Sequence, residues 1–404
     1  MLRDSFDVKI VDNLRPTFDT EVLEPARTAI RELFMSHVMA QAPGYDALRS
    51  WVDADIMPTP AAVGKIMGEV SAARGINMVG MDIGGATTDI FSVIDGVFHR
   101  SVSANLGMSY SAGNVLLEAG LDNIMRWLPF VASPGEVSDR ICTKLIHPTA
   151  LPGNKTDLMV EQALGTEALR LAFEQHKEVA TMKGEISHLR ALLMSYDQIA
   201  AARSERKTIV DIAGIDMLVG SGGALSHAPR RAQAALMILN AFLPVGVTFL
   251  AVDSIFMMPH LGVLSEIEPE TALSVLEKDC FVPLGPAVVP EGTFAAGEPA
   301  VSVRVSDRHR GERKVTVNGG DMKVLKLSGS GEATVEVATM GGATLRGDTS
   351  FRCRPGTVGL IIDARGRPLS LPQDAAGRAA ANARWALQIG AYDDAEEGKP
   401  WTRL

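Results

Sequence analysis

The chain lacks the marks of several common classes of protein. Its three cysteines, Cys142, Cys280 and Cys353, lie far apart with no C-x-x-C spacing. Neither a zinc site nor a disulfide framework is expected, and a reducing cytoplasm fits this usage best. No Lys/Arg-rich block stands out among 39 basic and 48 acidic residues, and the formal charge is -9, so nucleic acid and anionic membrane are poor partners. The opening Met1–Asp7 has acidic residues where a signal peptide needs an apolar run. His99, His147, His227 and His260 form no H-x-x-x-H or H-E-x-x-H pair, which argues against a metal centre built on histidine. Ser221 sits in Gly-Ser-Gly-Gly rather than the G-x-S-x-G elbow, which argues against serine hydrolase chemistry.

What is present is enough apolar residue to bury a large core. The 404 residues are 46% hydrophobic, with a mean hydropathy of +0.12, and divide into two or three expected domains. Ala232–Val252 carries no charge and is about long enough to mimic a membrane span. Gln233, Asn240 and the breaker Pro244-Val245-Gly246 divide it instead into a core helix and a short strand.

Read in order, residues 1–76 are a helical N-terminal segment, with helices expected from Val22 to Met39 and from Pro60 to Arg74, the second closed by Gly75. Apolar alternation from Asn77 to Val102, folded at Asp95-Gly96, predicts three antiparallel strands. A helix is expected over Gly113–Leu128. Residues 133–206 read as a helical insert, with long helices over Asp157–Thr181 and Glu185–Arg203. The strand pattern resumes over Ile209–Val219, and a helix over Pro229–Leu243, a strand over Val247–Val252 and a helix over Glu270–Lys278 follow. Residues 77–132 and 207–282 thus make an α/β lobe whose ligand loops lie at the carboxyl ends of its strands. Short alternating runs separated by Gly-rich turns mark 283–372 as an all-β appendix, and 373–404 as a C-terminal helix, near Ala375–Ile389, with a tail.

Two glycine clusters carry the functional signal. In Asp82-Ile83-Gly84-Gly85-Ala86-Thr87-Thr88-Asp89, adjacent glycines precede two hydroxyls and a carboxylate, a combination that a plain turn does not need. Asp82 is the candidate for holding hydrated Mg2+ or orienting water, and Gly84, Gly85, Ala86, Thr87 and Thr88 for contacting phosphate. Gly220-Ser221-Gly222-Gly223 would let the backbone lie against an adenine or ribose. Asp253, after a later strand, is a further candidate, with a simple capping role as its alternative. Both clusters fall at strand ends, so two turns far apart in sequence would meet on one edge of the sheet.

At these residues a resemblance becomes specific. Asp82–Asp89 resembles the second phosphate motif of the actin-like ATPase superfamily, which contains actin, heat-shock chaperone ATPases and sugar kinases, and Val219–Gly223 resembles its adenosine motif. Five strings are similar to the glutamate mutase L family: Met57-Pro58-Thr59-Pro60-Ala61-Ala62-Val63, Gly84-Gly85-Ala86-Thr87-Thr88-Asp89, Asn105-Leu106-Gly107-Met108, Gly220–His227 and Asp363-Ala364-Arg365-Gly366-Arg367-Pro368-Leu369. The resemblance implies the second lobe of an actin-like (ribonuclease H-like) fold. It also implies ATP and Mg2+ as ligands, and an ATP-dependent reactivating role toward subunits of a coenzyme B12-dependent mutase. The cobalamin would belong to the client, because the chain has no D-x-H-x-x-G string.

One departure bears on activity. Actin-like ATPases open with a first lobe carrying another Asp-x-Gly-(Thr/Ser) loop, and no such string precedes residue 82. A truncated or partnered lobe is the resulting expectation, with weak nucleotide binding and little turnover by the chain alone. Two other readings remain at this stage: a small-molecule kinase of the same superfamily, and a non-catalytic nucleotide-binding module.

Overall fold

In a computed structural model, the strand-like runs around Asp82 lie inside an eight-stranded sheet. The described residues are 7–16, 22, 24–39, 41, 43–52, 56–183, 206–308, 310–327 and 331–393. The helix expected over Glu185–Arg203 lies outside them. The chain divides into two units, Met1–Pro58 with Lys183–Arg206, and Thr59–Met182 with Lys207–Leu404. In the first, helix α1 (Glu24–Phe34) continues as a π-turn over Met35–Met39, and α2 (Tyr45–Ser50) follows.

The second unit begins with α3 (Thr59–Arg74), which ends at Gly75 with a φ of 62°. Strands β1 (Met78–Ile83), β2 (Thr88–Ile94) and β3 (Val97–Ser103) form the expected antiparallel meander. Its hairpin holds Asp95 and Gly96 both at positive φ, 50° and 76°, the left-handed pair that matches strand twist. The helix expected over Gly113–Leu128 is two helices, α4 (Ala112–Ala119) and α5 (Leu121–Met125). Gly120 at φ 78° and ψ 145° breaks the run between them.

Two helices make the described part of the insert. α6 (Pro134–Ile146) starts with a reciprocal Ser133–Glu136 capping box, and α7 (Lys155–Val179) starts on Asn154, whose Oδ1 accepts the Asp157 N–H at 2.9 Å. Short strands β4 (Thr181–Lys183) and β5 (Arg206–Thr208) pair with each other. The expected strand Ile209–Val219 is shorter and later: a 3-10 turn occupies Ile212–Gly214, and β6 spans Met217–Ser221. The one-turn α8 (Gly223–Ser226), α9 (Arg231–Phe242), β7 (Gly246–Asp253), α10 (Met258–Leu264) and α11 (Pro269–Val275) follow. The charge-free run is therefore a buried helix and a strand, parted at Leu243–Val245. No described helix is long and apolar enough to cross a membrane.

The stretch expected to be an all-β appendix serves two sheets. β8 (Phe281–Val289), β11 (Met322–Leu325) and β14 (Leu360–Asp363) extend the large sheet, whose order is β11-β14-β8-β7-β6-β1-β2-β3. β9 (Pro299–Asp307), β10 (Gly311–Asn318), β12 (Ala333–Thr339) and β13 (Ser350–Cys353) form a separate four-stranded sheet. The reason is β8, which pairs antiparallel with β7 along its length while meeting β14 only at Ala287 and Val288. Helix α12 (Ala375–Ile389) closes the fold where the sequence places it.

Residue alternation gives the large sheet two apolar faces. Met81, Ile83, Ile90, Leu218 and Val252 pack with α7 and α9, while Met78, Phe91, Val219 and Ala251 pack with α3 and α10. The string Asp363–Leu369 is a buried brace behind this core. Asp363 accepts Arg365 Nε and Nη2 at 2.8 Å each and Arg367 Nη2 at 2.7 Å. Arg365 Nη1 reaches Asn240 Oδ1 at 2.6 Å, its guanidinium lies 4.9 Å from the Trp385 ring centre, and Arg367 Nε donates to the Pro244 carbonyl at 3.1 Å. Burial alone would push Asp363 up, but the two arginines hold it well below the usual carboxylate range. Asp363→Asn would leave two buried guanidiniums facing no charge. A loss of about 3–5 kcal/mol in urea unfolding is expected, and a loss below about 1 kcal/mol would show the brace to be dispensable.

Candidate functional site

Register brings the two glycine clusters together. Asp82 pairs with Asp89 across β1 and β2, and with Ser221 across the parallel β1 and β6, while Gly220 pairs with Val252 of β7. The carboxyl ends of β1, β6 and β7 therefore place Asp82, Ser221 and Asp253 side by side, with Asp89 on the other flank. Facing residues of paired strands project from the same side of a sheet. By the same alternation, all four lie on the face that packs against α3 and α10.

The turn between β1 and β2 is braced from behind. Gly84 N–H closes onto the Thr87 carbonyl at 2.9 Å, and the Gly84 and Gly85 carbonyls accept from Met108 and Ser109, each at 2.9 Å. Those bonds direct the carbonyls inward. No backbone hydrogen bond among the described residues uses the N–H of Gly85 or Ala86, and both residues are exposed. Thr87 is half-buried beside them. Outward N–H groups on a glycine turn are suited to an anion. Gly107 is required by the brace, since a Cβ there would lie 2.5 Å from the Ala86 carbonyl carbon. This gives Asn105-Leu106-Gly107-Met108 a physical role.

Not every expected contact residue points outward. Thr88 is fully buried and donates its hydroxyl to the Leu106 carbonyl at 2.6 Å, so it holds the turn rather than facing a ligand. The Asp253 carboxylate is fully buried and accepts the N–H groups of Ile255 and Met257 at 3.3 Å and of Met258 at 3.2 Å. It braces a turn in which Phe256 has a φ of 56°, a conformation costly for an aromatic residue. Asp89 is paired too: Arg100 Nε and Nη2 both donate to its Oδ1, at 3.0 and 2.7 Å. The sequence reading missed Arg100, although strand alternation on β3 is its only signal.

Asp82 stands out electrostatically. Burial, then the charges of Asp89 and Asp253, push its carboxyl from 3.8 to about 6. A divalent cation would relieve this repulsion. Among the described residues no group of three His, Cys, Asp or Glu could hold a metal ion. A cation here would draw most of its ligands from water and phosphate, the pattern typical of Mg2+ rather than of zinc.

A cleft of about 710 Å3 opens beside the turn, running from Met108 and Ser109 past Gly223 and Ala224 to His227 and Arg230, with the α6–α7 insert as its far wall. Of the Gly220–Gly223 cluster, only Gly223 lines it. Gly222 makes the separation, with a φ of 91° and the Ile83 carbonyl oxygen 2.2 Å from where its Cβ would be. On the far wall Lys144 Nζ donates to Glu161 at 2.7 Å, and burial raises the Glu161 carboxyl despite that partner. At the mouth Arg230 Nη1 donates to Asp393 at 2.6 Å. Lys144, Lys155, Glu161 and Arg230 were not singled out from sequence, since nothing in their spacing marks them.

A family model described as MutL protein matches residues 1–280. The chain belongs to the MutL family. It is 25% identical over 299 residues to Protein MutL of Clostridium tetanomorphum, a match covering 67% of this chain and 60% of that protein. The chain thus spans about 60% of the length of the curated MutL relative it matches. Among solved structures, (R)-2-hydroxyglutaryl-CoA dehydratase component A of Acidaminococcus fermentans is similar at 11% identity and a TM-score of 0.26, over 61% of this chain and 82% of that one.

Two groups of this MutL chain that burial shifts titrate in opposite senses. Asp82 is raised in the fold, so the stability tied to its protonated form is present below 3.8 and lost as pH rises through about 6. His176 is buried between Ser101 (2.9 Å) and Ser92 (2.8 Å), and burial followed by the charge of His99 lowers it from 6.5 to about 4. Its contribution is present above 6.5 and lost as pH falls toward 4. The two effects oppose each other between these limits. Asp82→Asn should raise apo stability by about 2–3 kcal/mol at pH 7.5 and leave it nearly unchanged at pH 3.5. Chemical denaturation at the two pH values tests this, and an equal effect at both would remove the raised carboxyl.

Proposed function

We propose that this chain is the second, nucleotide-binding lobe of an actin-like ATPase, and that it serves as a reactivating accessory protein of an adenosylcobalamin-dependent mutase. The observation that carries the nucleotide reading is the meeting of the Gly84–Thr87 and Gly220–Gly223 turns on neighbouring parallel strands, beside a 710 Å3 cleft. The chain plan supports the same reading. An antiparallel meander, a helical insert and two later strand–helix units whose strands run parallel to β1 are what the superfamily resemblance implies.

In this reading the N–H groups of Gly85 and Ala86, with Thr87, receive the terminal phosphates of ATP. Asp82 would hold hydrated Mg2+, which supplies charge neutralisation at the phosphates. Asp89 and Asp253 raise the demand for that cation. Met108, Ser109, Gly223 and Ala224 form a continuous wall from the turn into the cleft, where base and ribose would lie between α8 and the insert. Thr88 and Gly107 keep the turn in shape. The far wall comes from the insert, whose α7 packs directly against α9 as well as against the sheet. Nucleotide held there would bear on the insert, and nucleotide-dependent motion of one body against another is how such an ATPase would act on a client.

Family membership supports a mutase as the client. The cobalamin would stay with that client, and subunit exchange of a damaged cofactor is the step that nucleotide-driven motion would serve. Titration calorimetry tests the binding half: Mg2+–ATP should bind, and Asp82→Ala should weaken it by about tenfold or more, about 1.4 kcal/mol. Nucleotide-dependent co-purification with cobalamin-mutase subunits tests the partner half. An Asp82→Ala chain that binds Mg2+–ATP as well as the parent would sink the site assignment. Failure to retain mutase subunits in any nucleotide state would sink the accessory role.

A further inference from the structure

Buried hydroxyls on and beside the central strands nearly all have a partner. Thr88 donates to Leu106, Thr248 to the Ile215 carbonyl at 3.2 Å, Ser226 to the Asp253 carbonyl, and Ser92 meets His176 at 2.8 Å. Ser221 does not. Its residue is fully buried, and its Oγ has no hydrogen-bond partner among the described residues. An unpaired hydroxyl in such a place costs about 1–3 kcal/mol, and an alanine would fill nearly the same space without that cost. A polar group kept there needs a reason.

Its position supplies one. Ser221 ends β6 directly opposite Asp82, and by alternation it shares a face with Met217 and Val219, the side on which Asp82 and Asp89 also project. The nucleoside cleft begins only beyond Gly222, at Gly223. The cluster that looks uniform in sequence is thus divided by the Gly222 turn. One part belongs to the acidic row and the other to the cleft.

We propose that Ser221 is a positioning residue at the cation–phosphate end of the site, its hydroxyl donating to an anionic oxygen brought by the Mg2+–nucleotide complex, rather than a nucleoside contact. This rests on the nucleotide-binding reading above. The hydroxyl is held by the β1–β6 register at the level of Asp82. Because the Oγ is fully buried in the ligand-free fold, a ligand oxygen would reach it only as neighbouring groups shift on binding, and the cost of the unpaired state would be recovered only in the complex.

The test is Ser221→Ala in the full chain, measured by calorimetry with two probes, Mg2+–ATP and adenosine, and by thermal unfolding without ligand. Affinity for Mg2+–ATP is expected to fall about tenfold, adenosine affinity to hold, and the apo melting temperature to stay level or rise. Ser221→Cys, which keeps the shape with a slightly larger atom but donates weakly, should show the same selective loss and serves if the alanine variant does not fold. Equal weakening of both probes would overturn the proposal, because Ser221 would then serve the nucleoside. An unchanged Mg2+–ATP to adenosine ratio with lower apo stability would overturn it in favour of a packing role. A parent chain that binds neither probe would overturn the nucleotide reading and this inference with it, and is told apart by the parent measurement alone.

Discussion

The parallel pairing of β1 with β6 is the constraint on which the site depends. Asp82 and Ser221 lie far apart in sequence, on either side of the hairpin and the helical insert, yet a fixed register sets them side by side. A slip of one residue exchanges the two faces of a strand, so register is strongly specified wherever the two faces differ in what they carry. Here Met78 and Met81 project to opposite apolar clusters, so such a slip would bury Asp82 among the residues that meet α7 and α9. The hydrophobic pattern that builds the core therefore also fixes the chemistry at the strand ends.

Carboxylates in this fold meet two opposite electrostatic regimes. Asp363 is fully buried yet ionised, because the Arg365 and Arg367 guanidiniums donate to both of its oxygens and outweigh the cost of burial. Asp82 is half-buried, and burial first, then the charges of Asp89 and Asp253, push it up. Arg100 pairs with Asp89 through a single oxygen. The first arrangement stabilises the fold in isolation. The second is an arrangement that a bound cation improves, which is the usual difference between a structural and a ligand-directed cluster of charge.

Much of this was legible in the sequence wherever a local signal coincided with the tertiary need. Asp95-Gly96 gave the hairpin, and the α12 pattern after Asp374, whose carboxylate caps the helix at Gly377 N–H with 2.7 Å, gave its limits. The two glycine clusters pointed to one edge, and β1–β6 pairing put them there. Other elements were hidden for physical reasons. β8 contains Pro283, Gly285 and Pro286, residues that argue against a central strand. It tolerates them because its pairing with β14 is confined to Ala287–Val288. α6 buries only Val137 and Ile141 on its core side, so its periodicity is faint although the Ser133–Glu136 box announces its start. For Thr88, a candidate phosphate contact, and Asp253, a candidate with capping as its alternative, sequence shows the hydroxyl and the carboxylate but not the backbone groups they engage.

The cleft could not have been read this way, since its walls come from separate regions of the chain. Glu161 and Lys144 belong to the insert, Gly223 and Arg230 to the segment after β6, and Asp393 to the end of the described chain. The segment after α12 ties these together: Tyr392 donates to Gln162 Oε1 at 2.6 Å, the Ala391 carbonyl accepts from Gln233 Nε2 at 3.1 Å, and Asp393 pairs with Arg230. Tyr392 and Ala391 are buried, whereas the Asp393 side chain is 74% exposed. The anchor is thus apolar packing with two hydrogen bonds, and the ion pair at the mouth adds little to it, as expected for an exposed pair. Loss of that partner would therefore cost Arg230 little and leave the packed floor of the cleft in place.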